Sequence, residues 1–130
     1  MKYLFTLLCC LVVILPSYAE EKKYEGAHIS FEKNEYDFGE VHRNSNDKKC
    51  SFRFVNDGTE PLVVLSATTS CSCLKVQFSR KPIGVGERGE IQLLLESKKV
   101  DKGIFRRIVQ IHSNSVGGTE ILTIKGVAKD

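Results

Sequence analysis

Apolar side chains recur at every second residue along most of this chain, and no stretch sustains a helical period. Residues 49–55 are the cleanest case. Cys50, Phe52 and Phe54 fall on one face of an extended segment and Ser51 and Arg53 on the other. That is a half-buried strand with Cys50 turned toward the core. Residues 74–78 alternate in the same way, and residues 90–96 set Ile91, Leu93 and Leu95 on one face. Residues 105–112 place Phe105, Val109 and Ile111 together, beside Arg107. A first strand starts at His28 and continues over residues 36–41 after a break at Lys33-Asn34, and a last one covers residues 121–127. Residues 62–65 are continuously apolar, which predicts a strand covered on both sides.

Turn chemistry separates these segments. Asp57-Gly58 with Pro61, the loop over residues 82–89, the charged tip over residues 98–103 and Gly117-Gly118 each end one strand and start the next. Seven to eight strands joined by short turns in about 100 residues predict an all-β protein, a two-sheet sandwich of immunoglobulin-like class. The chain lacks Trp, and its cysteine spacing differs from that of an antibody-type domain.

The 130 residues divide into three parts. Residues 1–19 read as a signal peptide: Lys2 precedes an apolar run that Pro16 breaks, and Ser17-Tyr18-Ala19 sets up a cut between Ala19 and Glu20. The run is shorter than the roughly 20 residues a spanning helix needs. Residues 20–27 form a charged, flexible leader, and residues 28–130 the sandwich domain. Cys9 and Cys10 leave with the signal, so three of the five cysteines stay: Cys50, Cys71 and Cys73. The formal charge drops from +3 to +2 with Lys2, too little to imply nucleic acid or a membrane surface as partner.

Several segments in a fixed order carry a resemblance. They are Phe38-Gly39-x-Val41, then Phe52-x-Phe54-x-Asn56-x-Gly58-x-x-Pro61-Leu62, then Ser70-Cys71-Ser72-Cys73, then Gly84-x-Gly86-Glu87. From about Ile29 to Ala128 the chain resembles domain of unknown function family 1573. That family is similar to the sandwich domains of major sperm protein and to the ASPM, SPD-2, Hydin domains, which serve as interaction modules. The resemblance implies the fold and no activity. Ser72 stands where the family usually has Gly, and Leu74 where it usually has Thr. The lost Gly removes easy access to positive φ between the cysteines.

Cys71 and Cys73 are the one pair of residues suited to chemistry. In an extended backbone both thiols point the same way, with Cα atoms about 6.5 Å apart, the upper edge of disulfide reach. A bridge between them requires a turn at Ser72. The alternatives are a pair packed at a strand end or joined as a structural bridge, a redox pair, and a metal site in which Cys71 and Cys73 hold a soft ion such as Cu(I). Cys50 is expected as a buried thiol out of reach of both. If residues 56–61 form a simple hairpin, Cys50 faces Ala67 and lies about 13 Å short of Cys71.

No local signature makes His28, His42 or His112 a catalytic base, and His112 is expected at the surface. Gly84-x-Gly86-x-x-Gly89 precedes a strand, whereas a dinucleotide-binding loop must open a helix. Lys98, Lys99, Lys102, Arg106 and Arg107 gather at one hairpin tip, where a solvated end that discourages edge pairing is expected. The reading is an exported, non-enzymatic interaction or structural module of the cell envelope. It has no implied cofactor, no catalytic residue and a protein partner in the envelope. The rival is a thiol redox or copper-binding protein that uses Cys71 and Cys73.

Overall fold

The computed structural model describes residues 24–130 together with Val13 and Ile14. The signal segment over residues 1–19, with its cut at Ala19 and Glu20, otherwise lies outside the described residues. Among the described residues eight strands form two four-stranded sheets. The first sheet runs in the order β1 (Ile29–Phe31), β3 (Lys48–Asn56), β6 (Arg88–Leu95), β5 (Leu74–Phe78), and all its pairings are antiparallel. The second runs β2 (Glu35–His42), β8 (Glu120–Lys129), β7 (Gly103–Ser113), β4 (Val64–Thr68). Within it only β2 and β8 run parallel. A short 3-10 turn, Ser97–Lys99, links β6 to β7. The fold is an immunoglobulin-like sandwich.

Period-two alternation explains the core directly. Phe52, Phe54, Ile91, Leu93 and Leu95 of the first sheet face Phe105, Val109, Ile111, Leu122 and Ile124 of the second, all at most 2% exposed. Truncating one of the larger ones, Phe54 for example, removes contacts that cost about 3–5 kcal/mol.

Three expectations change. The first strand is two strands: the polar residues Glu32, Lys33 and Asn34 carry the chain from the first sheet to the second, so β1 pairs with β3 while β2 pairs with β8. The apolar run over residues 62–65 is covered on one side only. Leu62 and Val64 are buried, but a register shift between Val64 and Ser66 leaves Leu65 55% exposed. And residues 56–61 do not form a hairpin. They arch from β3 in one sheet toward β4 in the other, because β3 pairs with β1 and β6.

Asn56 holds that arch. It is fully buried, and its side chain makes four bonds to main chain. Nδ2 donates to the carbonyls of Glu60 (2.8 Å) and Ile83 (2.9 Å), while Oδ1 accepts from the N–H groups of Gly58 (3.1 Å) and His28 (3.3 Å). Gly58 is required beside it, because a Cβ there would meet the Gly26 carbonyl oxygen and the His28 nitrogen at 2.6 Å or less. The end of the expected leader is therefore part of the domain. Ala27 is buried, Thr59 N–H donates to the Gly26 carbonyl at 2.7 Å, and Val116 N–H donates to that of Ala27 at 2.9 Å.

Candidate functional site

After β4 the chain crosses from the second sheet back to the first, and Cys71 and Cys73 lie on that crossing. Thr69 anchors it: its hydroxyl donates to the Ile108 carbonyl at 3.0 Å and accepts from Cys71 N–H at 3.3 Å. Leu74 N–H then closes a turn on the Cys71 carbonyl at 3.3 Å, and Glu96 N–H donates to the Cys73 carbonyl at 2.7 Å. The turn brings the two Cα atoms to 5.2 Å, inside the disulfide range, and the two sulfurs are bonded. No described residue other than glycine has a positive φ, so Ser72 completes this turn without the conformation that a glycine would make easy.

The two sulfurs are unequal. Cys73 is 1% exposed and belongs to the core, whereas Cys71 is half-buried. Cys73 N–H also points at Cys71 Sγ, 3.3 Å away. As a staple the bridge does little. Closing a loop of three residues restricts the unfolded chain by only about 1.6 kcal/mol, against about 3 for fifteen residues.

Cys50 is a free thiol, 8% exposed, and burial pushes its pKa up to about 11. It is out of reach of the pair for a reason different from the hairpin argument. Cys50 faces Leu93, which faces Val76, so Cys73 lies two strands across and three residues along, about 14 Å away.

With the sulfurs bonded to each other, Cys71 and Cys73 offer no thiolates to a metal. Among the described residues no group of three or more His, Cys, Asp or Glu side chains converges on a cation site. His28 Nδ1 lies 2.5 Å from Asp57 Oδ1, and its ring stacks on Tyr24 with centroids 3.6 Å apart. No hydroxyl or thiol hydrogen-bonds that ring among the described residues. The buried Ser115 hydroxyl instead accepts from Ile29 N–H and Gly117 N–H. His112 lies on the outer face of β7, against the Thr68 and Thr119 hydroxyls. Three of the five cations of the basic tip lie against acids: Lys99 pairs with Glu96, Lys102 with Asp130, and Arg106 with Glu35.

Sequence reasoning missed Glu96, which borders the cysteine turn. Lys99 Nζ lies 2.7 Å from its Oε2 and Lys75 Nζ 3.0 Å from its Oε1. The Lys99 contact first, and then Lys75, hold its carboxyl below the usual glutamate range. Its position at the end of a strand carried no signal, because Lys75 comes from a different strand.

The open edge of β5 is the other candidate surface. Glu96 N–H bonding to the Cys73 carbonyl fixes the alternation of this ladder. Lys75 and Gln77 turn their main-chain groups toward β6, and Val76 and Phe78 turn theirs outward. No strand pairs with that side among the described residues.

A two-sheet immunoglobulin-like sandwich with a cysteine turn at one sheet crossing defines the class of this protein. By sequence the chain belongs to the family described as protein of unknown function (DUF1573), which matches residues 29–128. No curated protein matches it. In fold it is similar to a protein of unknown function from Porphyromonas gingivalis (TM-score 0.66, 16% identity, 84% of this chain and 50% of that one). It is also similar to the secreted serine protease VesC from Vibrio cholerae (TM-score 0.60, 12% identity, 79% of this chain and 23% of that one). A third likeness is to the ASH / PapD-like domain 7 of human CEP192 (TM-score 0.59, 7% identity, 78% of this chain and 85% of that one). The chain spans half or less of the first two, and at these identities the likeness is one of fold alone. Among the described residues no helix is long and apolar enough to cross a membrane.

Proposed function

We propose that this protein is an exported, non-enzymatic interaction module of the cell envelope, and that it binds an extended segment of a partner protein along β5. The main-chain geometry of that edge carries the reading. A segment laid beside β5 finds the outward N–H and C=O groups of Val76 and Phe78, the mode of recognition in which main-chain bonds give affinity and side chains give specificity.

The other three edges are poorer templates. β1 has three residues. β2 is broken by a bulge at Gly39 between Asp37 and Glu40, and β4 by the bulge at Leu65. Both are devices that discourage strand addition. β5 pairs with β6 over five residues without a shift and carries no proline. The charged and polar side chains Lys75 and Gln77 keep it soluble when unoccupied.

The test is capture from an envelope extract by the mature domain and by Val76→Pro. Proline removes one outward N–H but leaves the bonds to β6, which run through Lys75 and Gln77. A partner retained by the wild type and lost by the variant, with circular dichroism unchanged, supports the reading. A domain that is monomeric and captures nothing, or a partner held equally by both, overturns it.

A further inference from the structure

We propose that the Cys71–Cys73 bridge is a thiol–disulfide exchange site, in which Cys71 forms the mixed disulfide with an incoming dithiol and Cys73 is the leaving thiol, which resolves the mixed disulfide when the exchange runs in reverse. This role goes beyond strand recognition at β5 and does not depend on it.

Access sets the order of events. Displacement at a disulfide is in line: the attacking sulfur, the attacked sulfur and the leaving sulfur are collinear. Cys73 is 1% exposed and packed in the core, so an attack on it would have to come through the protein. Cys71 is half-buried on the turn, with Ser70 and Ser72 exposed on either side. Part of Cys71 is thus open to solvent, while Cys73 is covered. The reactive sulfur is therefore Cys71.

The step balances as follows. A thiolate of the partner dithiol attacks Cys71 Sγ, the Cys71–Cys73 bond breaks, and Cys73 leaves with the electron pair and takes up a proton. The partner's second thiol, losing its proton, attacks its own sulfur in the mixed disulfide and releases Cys71 as a thiolate. Cys73 N–H, 3.3 Å from Cys71 Sγ, stabilises that charge until it too is protonated. Two electrons and two protons have moved, and the partner leaves as a disulfide. The reverse sequence oxidises the pair and reduces a partner disulfide.

The fold accommodates both states. The bridge spans one intervening residue, and hydrogen bonds independent of the sulfurs hold the turn: Leu74 N–H to the Cys71 carbonyl, Glu96 N–H to the Cys73 carbonyl, and the Thr69 hydroxyl to the Ile108 carbonyl. Reduction therefore frees no strand. Cys50, buried on another strand, stays outside the exchange.

The experiment exploits Cys50 as an internal reporter of unfolding. The oxidised native protein is incubated with dithiothreitol under non-denaturing conditions and pulsed with N-ethylmaleimide, and peptide masses are followed over time. Cys71 is expected to be labelled at least about tenfold faster than Cys50. A bridge that opens only in step with Cys50 labelling is a structural staple, and the proposal fails. In a second arm, Cys73→Ser and Cys71→Ser are exposed to glutathione disulfide. A 1:1 mixed disulfide on Cys71 in Cys73→Ser, with Cys73 unmodified in Cys71→Ser, is the expected result. Equal or reversed modification overturns the assignment of roles.

Discussion

At the scale of single residues, Asn56 is where the most stability rests on one polar side chain. Its four main-chain partners come from residues 28, 58, 60 and 83, so it ties the β1 entry, the arch and the loop before β6 into one corner. Asn56→Ala leaves two N–H groups and two carbonyls unpaired in a largely buried place. We expect it to lower unfolding free energy by about 3 kcal/mol or more in urea titration. Asn56→Asp keeps the two acceptor bonds but sets a carboxylate oxygen against two carbonyl oxygens, and a comparable loss is expected. The motif around Asn56 was legible in the sequence. That it is a buried bracket was not, because Ile83 lies 27 residues away.

At the scale of elements, Glu96 joins the start of β5, the end of β6 and the 3-10 turn through Lys75 and Lys99. Its folded carboxyl titrates below its unfolded value. The stability it contributes is therefore complete above about pH 4.3 and falls away as pH drops from there through the lower folded pKa. Glu96→Gln should show a lower Tm than wild type at pH 7, with the gap narrowing below about pH 4.3. A gap that stays constant with pH would assign the loss to packing instead of charge. The strands were legible because alternation needs only local sequence. The bulges at Gly39 and Leu65 were not, since a register shift is defined by a partner strand.

At the scale of the whole molecule, the boundary of the folding unit lies before residue 28. Ala27 is buried, the carbonyls of Gly26 and Ala27 accept from Thr59 N–H and Val116 N–H, and Gly26 N–H donates to the Thr59 hydroxyl. A chain beginning at His28 should therefore be less stable than one beginning at Tyr24, by about 2–3 kcal/mol if each lost bond counts for about 1. Matched Tm values for the two would instead confine the domain to residues 28–130. The basic tip is also a matter for the whole molecule. Its lysines and arginines are neighbours in sequence, yet the acids beside three of the five come from Glu35, Glu96 and Asp130, each of which also pairs with a cation outside the tip.

Period-two alternation, turn residues and the order of a few motifs were enough to determine an all-β immunoglobulin-like sandwich and its core faces. Those features are local, and each strand must bury the same side whatever its neighbour. The sequence also marked Cys71 and Cys73 as a pair. Only the tertiary structure decided which strand joins which sheet, that the Asp57-Gly58 turn is an arch, and that β5 is left with a regular open edge. It alone set Cys73 inside and Cys71 half outside, because exposure depends on what the other sheet covers. The two sulfurs are alike in sequence, and the packing around them makes them different.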